Sequence, residues 1–224
     1  MTDNPLAGHA LRYLIGADAP GPGGENIVTV VAWDVDARAK AGISAGYCNL
    51  FREDASPAYG PYLKPDAVAA HYHEGQIDPN GPGWEKNLRE QFERRRAHGF
   101  QYVELDNPDA YALQDVLGAV ELAEKYGLKA LAKNPGLLDP RDATAFLAHR
   151  NVFGAIVEQG AGGPSDMDRM RRQAGKHSLP VWFVFFGHGR AAAERVGHVI
   201  ATAHIPEMHV TYASVGEYGN ALAV

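Results

Sequence analysis

The stretch GFQYVELDNPDAY, residues 99–111, decides the fold. Its first half is apolar and rich in strand-forming residues, and Asp-Asn-Pro then supplies turn chemistry. A strand over Phe100–Asp106 puts Tyr102, Glu104 and Asp106 on one face and Val103 and Leu105 on the other. Pro108 follows where a first helical turn accepts proline, and Leu113, Leu117 and Val120 line one helical face until Gly127. Another apolar run, Leu128–Ala132, comes next. Strand, helix and strand at this spacing make a βαβ unit, which implies a parallel sheet.

The same alternation extends in both directions. Further strands are predicted at Leu11–Ile15, Ile27–Trp33, Gly42–Leu50, Val152–Val157, Val181–Phe186 and His209–Tyr212, with a weak run at Ala67–Tyr72. That makes nine runs where an eightfold barrel needs eight, and the run at 67–72 fits worst. Helices are predicted where Trp84, Leu88 and Phe92 recur before Gly99, where Asp139-Pro140 introduces Ala143, Phe146 and Leu147, and where Val196, Val199, Ile200 and Ala203 form a stripe. Ser165 and Asp168 have the spacing of a capping box. No glycine-rich fingerprint opens a helix, so a dinucleotide fold gains no support. PGPGG at 20–24 and PNGPG at 79–83 are loops within one domain. The expectation is α/β, a single short-looped (β/α)8 TIM-like barrel over residues 1–224.

Composition agrees with a globular chain. Of 224 residues 46% are hydrophobic and 21% charged, and 25 Gly with 14 Pro fall short of a low-complexity composition. Lys+Arg 21 against Asp+Glu 27 gives −6, which argues against a general nucleic-acid binder. The adjacent Arg94, Arg95 and Arg96 fan around a helix and predict a solvated helix end rather than a basic face. One cysteine, Cys48, excludes an intramolecular disulfide framework and a multi-Cys zinc knuckle. No run is long and apolar enough for a membrane span. The first twenty residues lack a basic segment followed by an apolar one, so no signal peptide is expected and the location is cytoplasmic unless an export segment was removed. The sequence sets no oligomeric state.

The chemistry gathers at strand ends. Asp106 ends its strand where a barrel carries catalytic groups, although Asp106 or Asn107 would also serve as a helix cap. A carboxylate inside a strand, Glu104, needs a partner such as a neighbouring Lys or Arg. Lys133 and Asn134 end the next strand, and Glu158 and Gln159 the one after, so Lys133 is placed to neutralise Asp106 or Glu158. Carboxylates at two strand ends with an amide between them are the components of a glycosidase site.

These residues resemble a family. GFQYVELDNPDAY is similar to the GFDGVxLDNxDxY segment of the glycoside hydrolase family 114-like barrels, the endo-α-1,4-polygalactosaminidase group. The resemblance implies that Asp106 is a catalytic carboxylate. ALAKNPGLL is similar to the family's QNxxLL stretch, laying Asn134 on its Asn and Lys133 on its Gln, and AIVEQG is similar to VVxE, laying Glu158 on its Glu. QID at 76–78 resembles a WLD element and sets Asp78 on the acidic position. The likeness runs from residue 76 to 160. AGYCNLFRE resembles the family's early strand but lacks the Glu after Gly, so Tyr47 and Asn49 hold that rim, and Glu104 replaces an apolar or aromatic residue. Members of the family are commonly secreted.

The implied activity is a glycoside hydrolase acting on an amino-sugar-containing or related polysaccharide by two-carboxylate chemistry, with no cofactor and no metal. Asp106 and Glu158 form the pair and Glu104 the reserve. Tyr47, Asn49, Asp78, Asn107, Lys133, Asn134, His188 and Tyr212 are expected to bind the carbohydrate, and Trp33 is a further ring near a strand end. One rival is a metal-dependent TIM-barrel hydrolase or isomerase, built from His71 and His73 of HYHE with Glu104, Asp106, Glu158 and His188. The other is a carbohydrate-binding barrel without catalysis. WDVD at 33–36 lacks the regular oxygen ligands of a calcium loop and is expected to be a rim loop.

Overall fold

The computed structural model describes residues 4–14, 27–31, 42–50, 52–54, 63–69, 74–158, 164–185, 209–213 and 221–223. Twelve strands and four α-helices occur among them, with two short 3-10 turns. In chain order they are β1 (Ala10–Leu14), β2 (Ile27–Val31), β3 (Ile43–Asn49), β4 (Arg52–Asp54), β5 (Leu63–Ala69), β6 (Glu74–Ile77), α1 (Pro82–Ala97), β7 (Tyr102–Asp106), α2 (Leu113–Lys125), β8 (Lys129–Lys133), α3 (Pro140–Leu147), β9 (Val152–Glu158), α4 (Pro164–Gly175), β10 (Val181–Phe185), β11 (His209–Ala213) and β12 (Ala221–Ala223).

Eight parallel strands, β1, β2, β3 and β7 to β11, form a closed barrel. The predicted runs other than 67–72 account for all eight. The seam is closed by β12, which lies antiparallel between β11 and β1 and was not predicted. The weak run at 67–72 overlaps β5, which belongs to a separate three-stranded antiparallel sheet ordered β4-β6-β5. This sheet lies between β3 and α1 in the chain, so the connection after β3 is not short as expected.

Alternation along the strands sorts side chains into two layers. Inside the barrel pack Leu11, Val28, Val30, Ala45, Tyr102, Leu131, Ile156, Trp182 and Val184. Trp182 fills this space because Gly154 across from it has no side chain: a Cβ there would lie 2.5 Å from the indole Cζ3. Its indole N–H donates to the carbonyl of His9 at 2.8 Å. Outside, Cys48, Val103, Leu105, Ala132, Val157 and Phe183 meet the apolar faces of the helices, including Leu88 and Phe92 of α1, Val116 and Val120 of α2, Phe146 of α3 and Met170 of α4. Burial of a large apolar side chain of this kind stabilises by roughly 1.5–3 kcal/mol.

Three helical expectations are corrected. Pro108 opens a separate 3-10 turn, Pro108–Ala110, and α2 starts only at Leu113, because Tyr111 and Ala112 are extended. Ser165 lies inside α4 and not at its cap, and the Asp168 carboxylate pairs with Arg171 and Arg172 on its own helix instead of capping. The three arginines of α1 are not equivalent: Arg94 and Arg96 are exposed, but Arg95 is buried and turned onto β3. The stripe at 196–203 lies outside the described residues. Among those residues no helix is long and apolar enough to cross a membrane.

Candidate active site

Two consecutive strands end in the same way. β7 runs into Asp106-Asn107-Pro108 and β8 into Lys133-Asn134-Pro135. Both asparagines are left-handed, Asn107 with φ 60° and Asn134 with φ 48°, and each proline opens a 3-10 turn. Asparagine tolerates this conformation better than most residues, and proline fixes the φ of the next residue. Each strand therefore stops on a charged side chain that shares the inward face with the interior residues two positions before it. Asn107 makes no side-chain cap bond, so the capping alternative does not hold for it.

The inward residues of four neighbouring strand ends meet at the C-terminal mouth of the barrel. Lys133 Nζ lies 3.2 Å from Asp106 Oδ2 and 2.9 Å from Glu158 Oε1. The Tyr47 hydroxyl donates to Asp106 Oδ2 at 2.9 Å, and the Asn107 backbone N–H donates to Asp106 Oδ1 at 2.8 Å. Asn134 grips Glu158 twice: its amide donates to Oε2 at 3.2 Å and its carbonyl accepts from the Glu158 N–H at 2.8 Å. The Asn107 amide donates to the Asn49 side-chain oxygen at 3.0 Å, tying β7 to β3. Lys133 Nζ also sits 5.1 Å from the centre of the Tyr47 ring.

The Asp106 and Glu158 side chains keep 13% and 23% of their surface exposed, against 6% for Lys133. The carboxylates thus face the mouth and the ammonium lies beneath. Burial alone would push the Lys133 ammonium down. The charges of Glu104, Asp106 and Glu158, with Tyr47, outweigh that penalty and hold it well above the usual lysine range. Lys133 is therefore a fixed cation among acids. Glu104 itself is fully buried inside the barrel, in register with Tyr47 on β3.

The structure thus brings together Tyr47, Asn49, Glu104, Asp106, Asn107, Lys133, Asn134 and Glu158. Asp78 lies in the turn between β6 and α1, where its carboxylate accepts from the Asn80 N–H at 3.0 Å. Among the described residues no hydrogen bond joins it to the cluster. Tyr212 belongs to barrel strand β11, paired with Phe185, and only its backbone is described. His188, Gln159, His71, His73 and Trp33 lie outside the described residues. Among those described, no group of three His, Cys, Asp or Glu is arranged to hold a metal ion.

Two supporting residues escaped the sequence reading. From α1, Arg95 Nε donates to the Tyr47 carbonyl at 3.0 Å and the Gln91 amide donates to the Asn49 carbonyl at 3.0 Å. They fix the backbone from which both rim side chains project. A signal existed, since Arg95 falls seven residues after Leu88 and three after Phe92, on the buried stripe. Its side chain crosses β3 at Gly46, where a Cβ would collide with the Arg95 stem.

No family model matches the sequence. No curated protein matches it either. Solved structures do match. The structure of Aspergillus fumigatus Ega3 in complex with galactosamine superposes with a TM-score of 0.68 at 12% identity, covering 97% of this chain and 96% of that one. The glycoside hydrolase domain of PelA from Pseudomonas aeruginosa gives 0.60 at 12% identity, over 94% and 98%. At such identities the likeness speaks for the fold, and it spans nearly the whole of each chain. The chain folds as a closed β/α barrel that shares its architecture with the Ega3 structure and the PelA domain.

Proposed function

We propose that the protein is a glycoside hydrolase that cleaves an amino-sugar-containing polysaccharide, with Asp106 and Glu158 as the reacting carboxyls. The observation that carries this is the Lys133 bridge. With its ammonium 3.2 Å from one carboxylate and 2.9 Å from the other, the two bridged oxygens are at most about 6 Å apart. Retaining enzymes hold their two carboxyls roughly 5–5.5 Å apart and inverting ones roughly 6.5–9.5 Å, and a pair drawn onto one ammonium is our reason for proposing retention. Galactosamine in the Ega3 structure supports an amino sugar as the ligand class.

The roles follow from the hydrogen bonds. Asp106 accepts from Tyr47, Asn107 and Lys133 at once, which fixes its carboxylate in one orientation at the mouth, as a nucleophile requires. It is therefore the nucleophile. Glu158, more exposed and receiving only Lys133 and Asn134 among the described bonds, is the acid. An Asp106 oxygen bonds to the anomeric carbon while the glycosidic C–O bond breaks and Glu158 passes its proton to the leaving oxygen. Glu158 then takes a proton from water, whose oxygen displaces Asp106 and restores the free carboxylate.

The test is reducing-end release from a panel of hexosamine-containing polysaccharides, with NMR of the first anomer formed. Asp106→Asn is expected to fold normally and lose roughly 10³-fold or more in rate, and the wild type to release product with retained configuration. Inverted product would reject Asp106 as nucleophile. Full activity in Asp106→Asn would reject the pair, and wild-type binding without release would favour the non-catalytic barrel. Activity abolished by a chelator and restored by a divalent ion would favour the metal-dependent rival.

A further inference from the structure

We propose that Glu104 is a positioning residue that cancels the charge of Lys133, leaving the Asp106–Glu158 pair free to hold the one proton that cleavage needs. This rests on the reading of Asp106 and Glu158 as the reacting carboxyls.

Glycoside cleavage requires one carboxyl protonated and one ionised at the same moment. An ammonium bonded to both, as Lys133 is, favours two negative charges and opposes uptake of that proton. A second anion beside the ammonium removes the difficulty. Glu104 precedes Asp106 by two residues on β7 and shares its inward face, and it is fully buried. Its register partner on β8 is Leu131, two residues before Lys133, so Glu104 lies diagonally beneath the ammonium. Of the charges that hold Lys133 protonated, Glu104 acts most strongly. With Lys133 and Glu104 neutralising each other, the two rim carboxyls are left with their mutual repulsion, which favours sharing a proton.

The other described residues that face the cluster are few. Tyr47 faces the cluster from β3 with its hydroxyl and ring. The described interior residues of β2, β9 and β10, namely Val28, Val30, Ile156, Trp182 and Val184, bring no charge. On β1, Arg12 alternates with interior Leu11 and so faces away from the barrel axis. Lys129 stands at the other end of β8, over the rings of Tyr102 and Phe153.

The experiment compares wild type with Glu104→Gln, which keeps shape and removes charge. In the pH profile of kcat/KM, both limbs are expected to move about one unit or more toward acid in Glu104→Gln. A merely structural role would lower the rate at every pH and leave the limbs in place, which would overturn the proposal. Carbon-13 NMR of side-chain carboxyls in substrate-free protein measures the same shift without turnover. A wild type that cleaves no glycan would sink the hydrolase reading, while this titration still tests the charge cancellation. If Glu104→Gln does not fold, the double variant Glu104→Gln/Lys133→Gln decides. Carrying neither charge, it should titrate within about half a unit of wild type, and a displacement of about one unit or more would reject the proposal.

Discussion

Replacing Lys133 by methionine removes a buried cation and keeps most of its stem. Three acids then remain around an apolar side chain: Glu104 fully buried, Asp106 and Glu158 at the mouth. Breaking a buried ion pair from one side costs about 3–5 kcal/mol, because the remaining charge stays desolvated. For a chain of this size each kcal/mol lowers Tm by roughly 2–4 °C, so a drop of about 6–20 °C is expected at neutral pH. The pH dependence has a definite sign. Lys133 is raised above the ordinary lysine value of 10.5, so its stabilisation is complete at every pH below that value and fades only as pH climbs through the raised one. The gap between wild type and Lys133→Met should therefore stay open throughout the neutral and mildly alkaline range. It should narrow toward pH 4, where the carboxyls of the variant can take up protons. Paired melts from pH 4 to 10 check both statements. A gap below about 1 kcal/mol at neutral pH, or one that widens on acidification, would refute the idea that Lys133 holds these acids in place.

Substitutions at two further positions test the scaffold. Asn134→Gly retains the left-handed backbone and loses the two hydrogen bonds to Glu158, at about 1–3 kcal/mol in urea unfolding; Asn134→Ala should cost about 1–2 kcal/mol more for its Cβ, and the reverse order would refute the strain argument. Gly154→Ala pushes a Cβ against the Trp182 ring and should destabilise by about 1–3 kcal/mol while changing tryptophan fluorescence; an unchanged melt would mean that the ring can move aside freely.

Most of the barrel was legible because its strands are apolar runs, four of which end in charged or amide side chains. YVELD at 102–106 is the clearest case: one alternating segment gave the strand, its inward face and the acid at its end. The run near 67–72 carried a weaker β signal, and local pattern does not say which sheet a strand joins: it overlaps β5 of the small antiparallel sheet. β12 escaped because Ala221–Ala223 has neither length nor β-branched residues, and only its place between β11 and β1 makes it a strand. At Pro108 the proline rule was sound in kind, yet extended Tyr111 and Ala112 stop the first turn from joining α2. For the site, strand-end position found Asp106, Lys133 and Glu158. It did not find Arg95, whose charge pointed to solvent while its spacing pointed inward.

The paired Asn-Pro turns also bear on how the protein ages. Asparagine degrades mainly when the next backbone nitrogen attacks its side-chain amide and closes a succinimide ring, releasing ammonia. Proline's nitrogen has no hydrogen to surrender and cannot complete that ring. Asn107 and Asn134, each followed by proline, are thereby shielded from the commonest chemical damage to this residue type. For Asn134 the protection matters doubly, because deamidation would set a new carboxylate against Glu158 Oε2. The residue that fixes each turn also preserves the amide that the mouth of the barrel depends on.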